Sequence, residues 1–194
     1  GLDAAKDWGR YYDVDGDGIP YRTLPGTHPT KGAYFTRGTS HDAYARYTED
    51  GRINAENMLR IKRKFQTAAT LVPKPEIVMR DSRSKVGIIY FGSTRPAVLE
   101  ALDELEAEGI RLNAMRIKAF PFSAEVKAFC DAHDRIFVVE QNRDAQMRSL
   151  LMLEAGVDGE KLIATTNFDG MPLTADFVRK SIRANIGPVK VAAE

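Results

Sequence analysis

From Val86 onward the chain alternates short apolar runs with amphipathic stretches. Val86-Gly87-Ile88-Ile89-Tyr90-Phe91 is apolar at odd and even positions alike, the pattern of a strand covered on both faces. Residues 111–117 form a second, less apolar run, and Ile136-Phe137-Val138-Val139 a third. Leu162-Ile163-Ala164 begins a fourth, while Glu76-Ile77-Val78-Met79 suits an edge strand. Between them, apolar residues recur at helical spacing: Val98, Leu102 and Leu105; Val126, Phe129 and Cys130; Met147, Leu150 and Leu151; Phe177, Val178 and Ile182. Thr94, Ser123, Asp144 and Thr174 stand where these helices need N-caps. Gly109, Gly156 and Gly187-Pro188 stand where they must stop. Strands separated by helices predict right-handed crossovers and a three-layer α/β/α, doubly wound, mostly parallel sheet of four or five strands over residues 76–187.

Residues 1–52 read differently. They hold Trp8, Phe35 and the tyrosines Tyr11, Tyr12, Tyr21, Tyr34, Tyr44 and Tyr47, but only Leu2, Val14, Ile19 and Leu24 as large aliphatics. Such a strip cannot build a core of its own and is expected to lie on a surface that this chain lacks. Residues 54–70 predict a linker helix with Asn54 as N-cap and Met58, Ile61, Phe65 and Ala68 on one face. Val72-Pro73-Lys74-Pro75 stops it. The expected organisation is thus a tail of a missing domain over 1–52, a helix and proline linker over 53–75, the α/β domain over 76–187 and a short tail over 188–194. The chain opens with Gly-Leu-Asp rather than Met, and is expected to be a piece of something larger.

Composition narrows the function classes. No apolar run approaches the roughly 20 residues of a membrane span. A net charge of +1, split as +4 up to Lys85 and −3 beyond it, favours protein contacts over a polyanion such as nucleic acid. One cysteine, Cys130, rules out an internal disulfide and fits a reducing, cytoplasmic setting.

Asp13-Val14-Asp15-Gly16-Asp17-Gly18 supplies the first half of a calcium loop, but position 12 is Leu24 and prolines flank it. An Asp/Gly turn is the better reading, and Asp13, Asp15 and Asp17 are weak metal candidates. Gly16-Asp17-Gly18 also opens a thiamine diphosphate metal motif, without the strand before it or the Asn pair after it; Asn54 and Asn57 belong to the linker helix. Cys130 and His133 have metal-clip spacing but no partners, so a buried cysteine is expected. Arg60 to Lys64 reads as a helix's wet face, open to an acidic partner. Two loops at strand ends carry more weight, because α/β folds place ligands there. Gly92-Ser93-Thr94 leads into a helix N-terminus, and Glu140-Gln141-Asn142-Arg143 leaves the most apolar strand. Each reads as a ligand or interface loop.

Several blocks in order also resemble a known family: Tyr12–Gly26, Thr36–Asp50, the Lys62-Arg63-Lys64 helix, the Gly92 turn and Val139–Arg143. They are similar to the C-terminal part of the α subunit of 2-oxoacid:ferredoxin oxidoreductases, most closely the 2-oxoglutarate type. The resemblance implies a thiamine diphosphate enzyme that decarboxylates a 2-oxoacid, reduces ferredoxin through iron–sulfur clusters and transfers the acyl group to coenzyme A. It makes residues 76–187 a domain like the transketolase C-terminal domain, and residues 1–52 the tail of the pyrimidine-binding domain. Arg37, Thr39, His41 and Asp42 become candidates for the substrate pocket. Thiamine diphosphate, magnesium and cluster would belong to the parent complex and none to this piece, whose partners would be the β subunit and the rest of its α subunit. The piece alone is expected to be inactive, a structural and assembly domain. Two alternatives stand beside it: a free-standing small-ligand or nucleotide-binding α/β module, and a calcium-stabilised interaction module.

Overall fold

The computed structural model describes residues 7–33 and 40–186. The chain divides into two compact units, Gly1–Leu71 and Val72–Glu194.

In the C-terminal unit the sequence pattern becomes a five-stranded sheet. Strands β1 (Glu76–Val78), β2 (Val86–Phe91), β3 (Asn113–Ile117), β4 (Arg135–Glu140) and β5 (Leu162–Thr166) lie in the order β1-β3-β2-β4-β5. Only β1 runs antiparallel, pairing Glu76 with Arg116 and Val78 with Ala114. Helices α2 (Arg95–Ala107), α3 (Ala124–Ala132) and α4 (Gln146–Ala155) make the crossovers, and α5 (Ala175–Asn185) follows the last strand. One sheet face buries Ile88, Tyr90, Phe137 and Val139 with Val98, Leu102 and Leu105 of α2 and Val178 and Ile182 of α5. The other buries Ile89, Met115, Ile136 and Val138 with Val126 and Phe129 of α3 and Leu151 of α4. Each such side chain contributes roughly 1.5–3 kcal/mol, so the doubly covered β2 and β4 form the stable centre. Gly87 has a steric role there. A Cβ on it would stand 2.9 Å from the Phe129 ring, so α3 lies against β2 only because residue 87 has no side chain.

Three of the four expected side-chain caps are not made. Ser123 stands at the N-cap of α3 but its side chain does not cap it, and the other two take other roles. Thr94 Oγ1 donates to the Phe91 carbonyl at 2.7 Å and leaves the start of α2 without a side-chain cap. Asp144 pairs with Arg143, and α4 starts behind Ala145 in a left-handed conformation (φ 51°). Thr174 does cap α5, accepting from Phe177 N at 3.2 Å. Gly187 and Pro188 lie outside the described residues. The αL conformation costs alanine about 1–2 kcal/mol, partly offset in glycine by unfolded-state entropy. Ala145→Gly is therefore expected to stabilise the unit by roughly 0.5–1 kcal/mol in urea denaturation.

The N-terminal unit consists of irregular loops and one helix, α1 (Gly51–Leu71). The helix begins earlier than Asn54, because Asp50 Oδ1 accepts from Arg52 N at 2.8 Å and serves as its cap. Its apolar stripe is not its packed face: Met58 is 52 % and Phe65 51 % exposed. The neighbouring polar stripe takes the loops instead. Asn57 donates to the His41 carbonyl, Arg60 to the Gly18 carbonyl and Thr67 to the Asp17 carbonyl. The tyrosine-rich loops offer backbone oxygens rather than aliphatic bulk, so amide, guanidinium and hydroxyl groups make the contact.

Candidate functional site

The candidate site in the C-terminal unit follows from strand order. After β2 the chain crosses to β3 on one side, then returns past β2 to β4 on the other. The crossover leaving β2 turns toward β3 and the one leaving β4 turns toward β5, so they part at the carboxyl ends of β2 and β4, where open α/β sheets leave a crevice. A cleft of about 550 Å³ lies there, lined by Ser93 beyond β2, Gln141 beyond β4, and Asn167, Phe168 and Met171 beyond β5. Phe168 is 64 % and Met171 69 % exposed. Among the described residues no ionisable side chain is on its wall, so it suits uncharged polar or planar groups.

The two predicted loops divide into parts with different duties. Gly92 takes a positive φ of 61°, and its carbonyl accepts from Arg116 at 3.3 Å. Thr94 is buried, while Ser93 is exposed. Glu140 is fully buried. Its carboxylate accepts from Met147 N at 2.8 Å, Arg148 N at 3.2 Å and Asn142 Nδ2 at 2.6 Å. Asn142 Oδ1 takes Gln146 N at 3.2 Å, so these two side chains satisfy the first turn of α4. Arg143 stays with Asp144 at the surface. Gln141 alone of the four is left for the cleft.

Elsewhere the chemistry-bearing side chains are committed. His133 Nδ1 donates to the Phe129 carbonyl at 2.7 Å and Nε2 accepts from Asn113 at 3.1 Å, holding buried polar groups together. Burial, with Asp131 nearby, pushes the Cys130 thiol up to about 11 and leaves it unreactive.

In the N-terminal unit the acidic loop folds onto itself. Both Asp13 oxygens accept from Gly18 N at 3.0 Å, and one also meets Arg63 at 3.2 Å. Asp17 accepts from Ile19 N at 2.7 Å, and Asp15 from the Tyr21 hydroxyl at 2.7 Å, which raises the tyrosine's pKa. Among the described residues no group of three or more His, Cys, Asp or Glu side chains gathers into a metal site.

Of the four substrate-pocket candidates, Arg37 and Thr39 lie outside the described residues. His41 and Asp42 open a hairpin closed by a bridge between His41 and Tyr47. Asp42 Oδ1 accepts from Tyr44 N and Arg46 N, both at 2.9 Å, and thereby holds the turn. The His41 ring stacks on Tyr11 with centroids 3.8 Å apart, and its Nδ1 faces the Asp42 carbonyl at 3.0 Å. A carbonyl oxygen can only accept, so Nδ1 carries a proton, and it is Nε2 that is left to meet another group. The 167–173 loop of the cleft was not foreseen: its residues show neither periodicity nor a motif.

No protein-family model matches the chain. It is 30% identical over 168 residues to the α subunit of 2-oxoacid:ferredoxin oxidoreductase 2 of Aeropyrum pernix, covering 84% of this chain and 25% of that protein. It is 33% identical over 180 residues to the corresponding α subunit of Saccharolobus solfataricus, covering 89% and 27%. The chain thus spans about a quarter of the length of the curated relatives it matches. A solved 2-oxoglutarate:ferredoxin oxidoreductase from Magnetococcus marinus, with 2-oxoglutarate, coenzyme A and succinyl-CoA bound, superimposes with a TM-score of 0.81. At 24% identity, over 95% of this chain and 32% of that one, it shows a shared fold. The chain is homologous over most of its length to part of the α subunits of 2-oxoacid:ferredoxin oxidoreductases.

Proposed function

We propose that this chain is part of the α subunit of a thiamine diphosphate-dependent, coenzyme A-acylating 2-oxoacid:ferredoxin oxidoreductase, and that it acts within the complex as an assembly domain. The observation that carries the reading is homology to two such α subunits over 84% and 89% of the chain. The 2-oxoglutarate type is favoured by the block resemblance and by the substrate bound in the structural neighbour. In this reading residues 76–187 correspond to the transketolase C-terminal-like domain and residues 1–52 to the tail of the pyrimidine-binding domain. The β subunit, the rest of the α subunit, ferredoxin and coenzyme A are the partners, in the cytoplasm. No helix among the described residues is long and apolar enough to cross a membrane.

The described residues do not fit the cofactors themselves. Asp17 Oδ1 accepts from Ile19 N, Gly18 is pressed onto α1, and no group of three or more His, Cys, Asp or Glu side chains gathers there among the described residues, so the Gly16-Asp17-Gly18 turn does not build a site for a diphosphate-bound metal. Cys130 is buried and has no second cysteine for a cluster. What the chain offers chemically is the hairpin carrying His41 and Asp42. His41 Nε2 would meet a substrate or a water, accepting from it in the neutral ring and donating to a carboxylate as the imidazolium. Asp42 sets the hairpin's shape. Arg37 and Thr39 complete the proposed substrate-facing segment.

The isolated chain, mixed with thiamine diphosphate, magnesium, 2-oxoglutarate, coenzyme A and a viologen dye, is expected to reduce no dye. Turnover there would overturn the assembly role. The 92–93 and 141 cleft supports a second reading, a free-standing small-ligand module, because Ser93 and Gln141 meet at the strand-order switch. Saturable binding of a nucleotide or coenzyme A, lost in Ser93→Trp, would favour that reading over the first.

A further inference from the structure

The cleft beyond β2, β4 and β5 is built on two turns that hold each other in place. Asn167 N donates to the Glu140 carbonyl at 3.1 Å, so Gln141 and Asn167 stand on adjoining strand ends. Glu140 itself is buried against the first turn of α4, which fixes the turn that carries Gln141. The second turn is closed by Asp169. Its Oδ1 accepts from Met171 N at 2.9 Å and from Asn167 Nδ2 at 3.2 Å. Gly170 makes the bend with a φ of +85°, and buried Leu173 anchors the loop in the core.

These contacts decide what the wall presents. A carboxylate accepts, so the Asn167 group that faces Asp169 is its NH₂, and Oδ1 is left to accept from elsewhere. Gln141 brings a second carboxamide to the same wall, with donors as well as an acceptor. Phe168 and Met171 flank the Asp169-Gly170 bend and stand largely in solvent, although the turn beneath them is held. A phenyl face and a thioether both suit a flat π-system better than an alkyl chain. The Asp169 carboxylate is turned onto its own loop and does not line the cavity.

We propose that the cleft binds a flat, uncharged nitrogen heterocycle with an amino group beside a ring nitrogen, the chemical class of an aminopurine base. The ring lies against Phe168 and Met171. Its amino group donates to Asn167 Oδ1, and its ring nitrogen accepts from the Gln141 amide, the pairing that carboxamides make with such an edge. An alkyl chain offers neither the plane nor the paired donor and acceptor. A volume of about 550 Å³ falls within the range of small-molecule pockets. The inference rests on the second reading above, in which the cleft is a small-ligand site, and names the class of that ligand.

Met171 supplies a local reporter, because a purine ring stacked on it shifts its methyl resonance. The full chain, labelled at its methionine methyls, should be titrated with three probes. Adenosine carries the whole edge, purine riboside lacks the amino group, and ribose 5-phosphate lacks the ring. The Met171 signal is the one missing from Met171→Leu, and calorimetry gives the affinities. Adenosine is expected to move it saturably, purine riboside to bind about tenfold more weakly, and ribose 5-phosphate to leave it in place. Gln141→Ala should weaken adenosine about tenfold, and Phe168→Ala by about tenfold or more. Equal affinity for adenosine and purine riboside would overturn the paired edge. Saturable binding of ribose 5-phosphate without adenosine would overturn the heterocycle and leave a small-ligand cleft standing. So would adenosine affinities unchanged in both alanine variants with their circular dichroism intact overturn the proposal. Silence from all three probes in both readouts would overturn it too, and the second reading falls with it only if the nucleotide and coenzyme A of its own test are silent as well.

Discussion

Replacing Glu140 by alanine is expected to lower the melting midpoint of the C-terminal unit by roughly 10–20 °C, at about 4 °C per kcal/mol for a unit of this size. The side chain is fully buried at the end of β4, and three donors converge on it: Met147 N, Arg148 N and Asn142 Nδ2. Alanine leaves all three without that acceptor in a place from which water is largely excluded. Removing the acceptor from buried, charge-assisted hydrogen bonds costs about 3–5 kcal/mol, most of it as the penalty on the partners left behind. The loss also reaches the helix. Two of the donors belong to the first turn of α4, whose N–H groups have no partner within the helix, and the carboxylate's charge favours that end of the dipole. Glu140→Gln separates these contributions. Its carbonyl oxygen can serve one donor, but its amide group turns a fourth donor toward the others, so about half the destabilisation should remain. If Glu140→Ala melts within a degree or two of the parent, the carboxylate is not what holds α4. The residue would then return to the candidates for a ligand or interface role.

The same region shows where sequence reading stops. The strand ending at Glu140 and the helix carrying Met147 and Leu151 were legible, because apolar residues on both alternating positions and at helical spacing are local patterns. The cap was not. Asp144 had the right chemistry one position before the αL Ala145, yet the acceptor for Met147 N sits seven residues earlier, brought back by the turn through Asn142. Nothing in a linear reading distinguishes a glutamate aimed into a helix from one aimed into a cleft. Ser93 and Gln141 were legible as a pair of strand-end loops, because strand order alone creates a crevice there. Phe168 and Met171, which complete its wall, lie in a loop whose apolar residues follow no period. On α1 the apolar periodicity was real but misleading. Met58, Ile61 and Phe65 share a face that the described N-terminal loops do not cover, whereas Asn57, Arg60 and Thr67 find backbone carbonyls. Periodicity predicts which residues share a face; it says nothing about what the opposing surface is made of.

That opposing surface gives the second large effect. Gly18→Ala is expected to detach the Asp13–Gly18 loop from α1 and destabilise the N-terminal unit by about 3 kcal/mol or more. Two costs combine. Gly18 has a φ of +83°, and a Cβ there would stand 2.3 Å from Lys64 N and 2.7 Å from the Arg60 carbonyl oxygen. The clash is with helix backbone, which cannot turn aside as a long side chain would. The loop must lift, and with it go the Arg60 bond to the Gly18 carbonyl, the Thr67 bond to the Asp17 carbonyl and the Arg63 pair with Asp13. Gly16 supplies the control within the same loop. Its φ is +76°, but nothing lies within 4 Å of its Cβ position. Gly16→Ala therefore carries the conformational cost alone, about 1–2 kcal/mol. Amide hydrogen exchange along Gly51–Leu71 measures both. Protection near Arg60 and Lys64 should fall sharply in Gly18→Ala and only slightly in Gly16→Ala. Equal losses in the two variants would mean that backbone conformation, and not the close approach to α1, is why glycine stands at position 18.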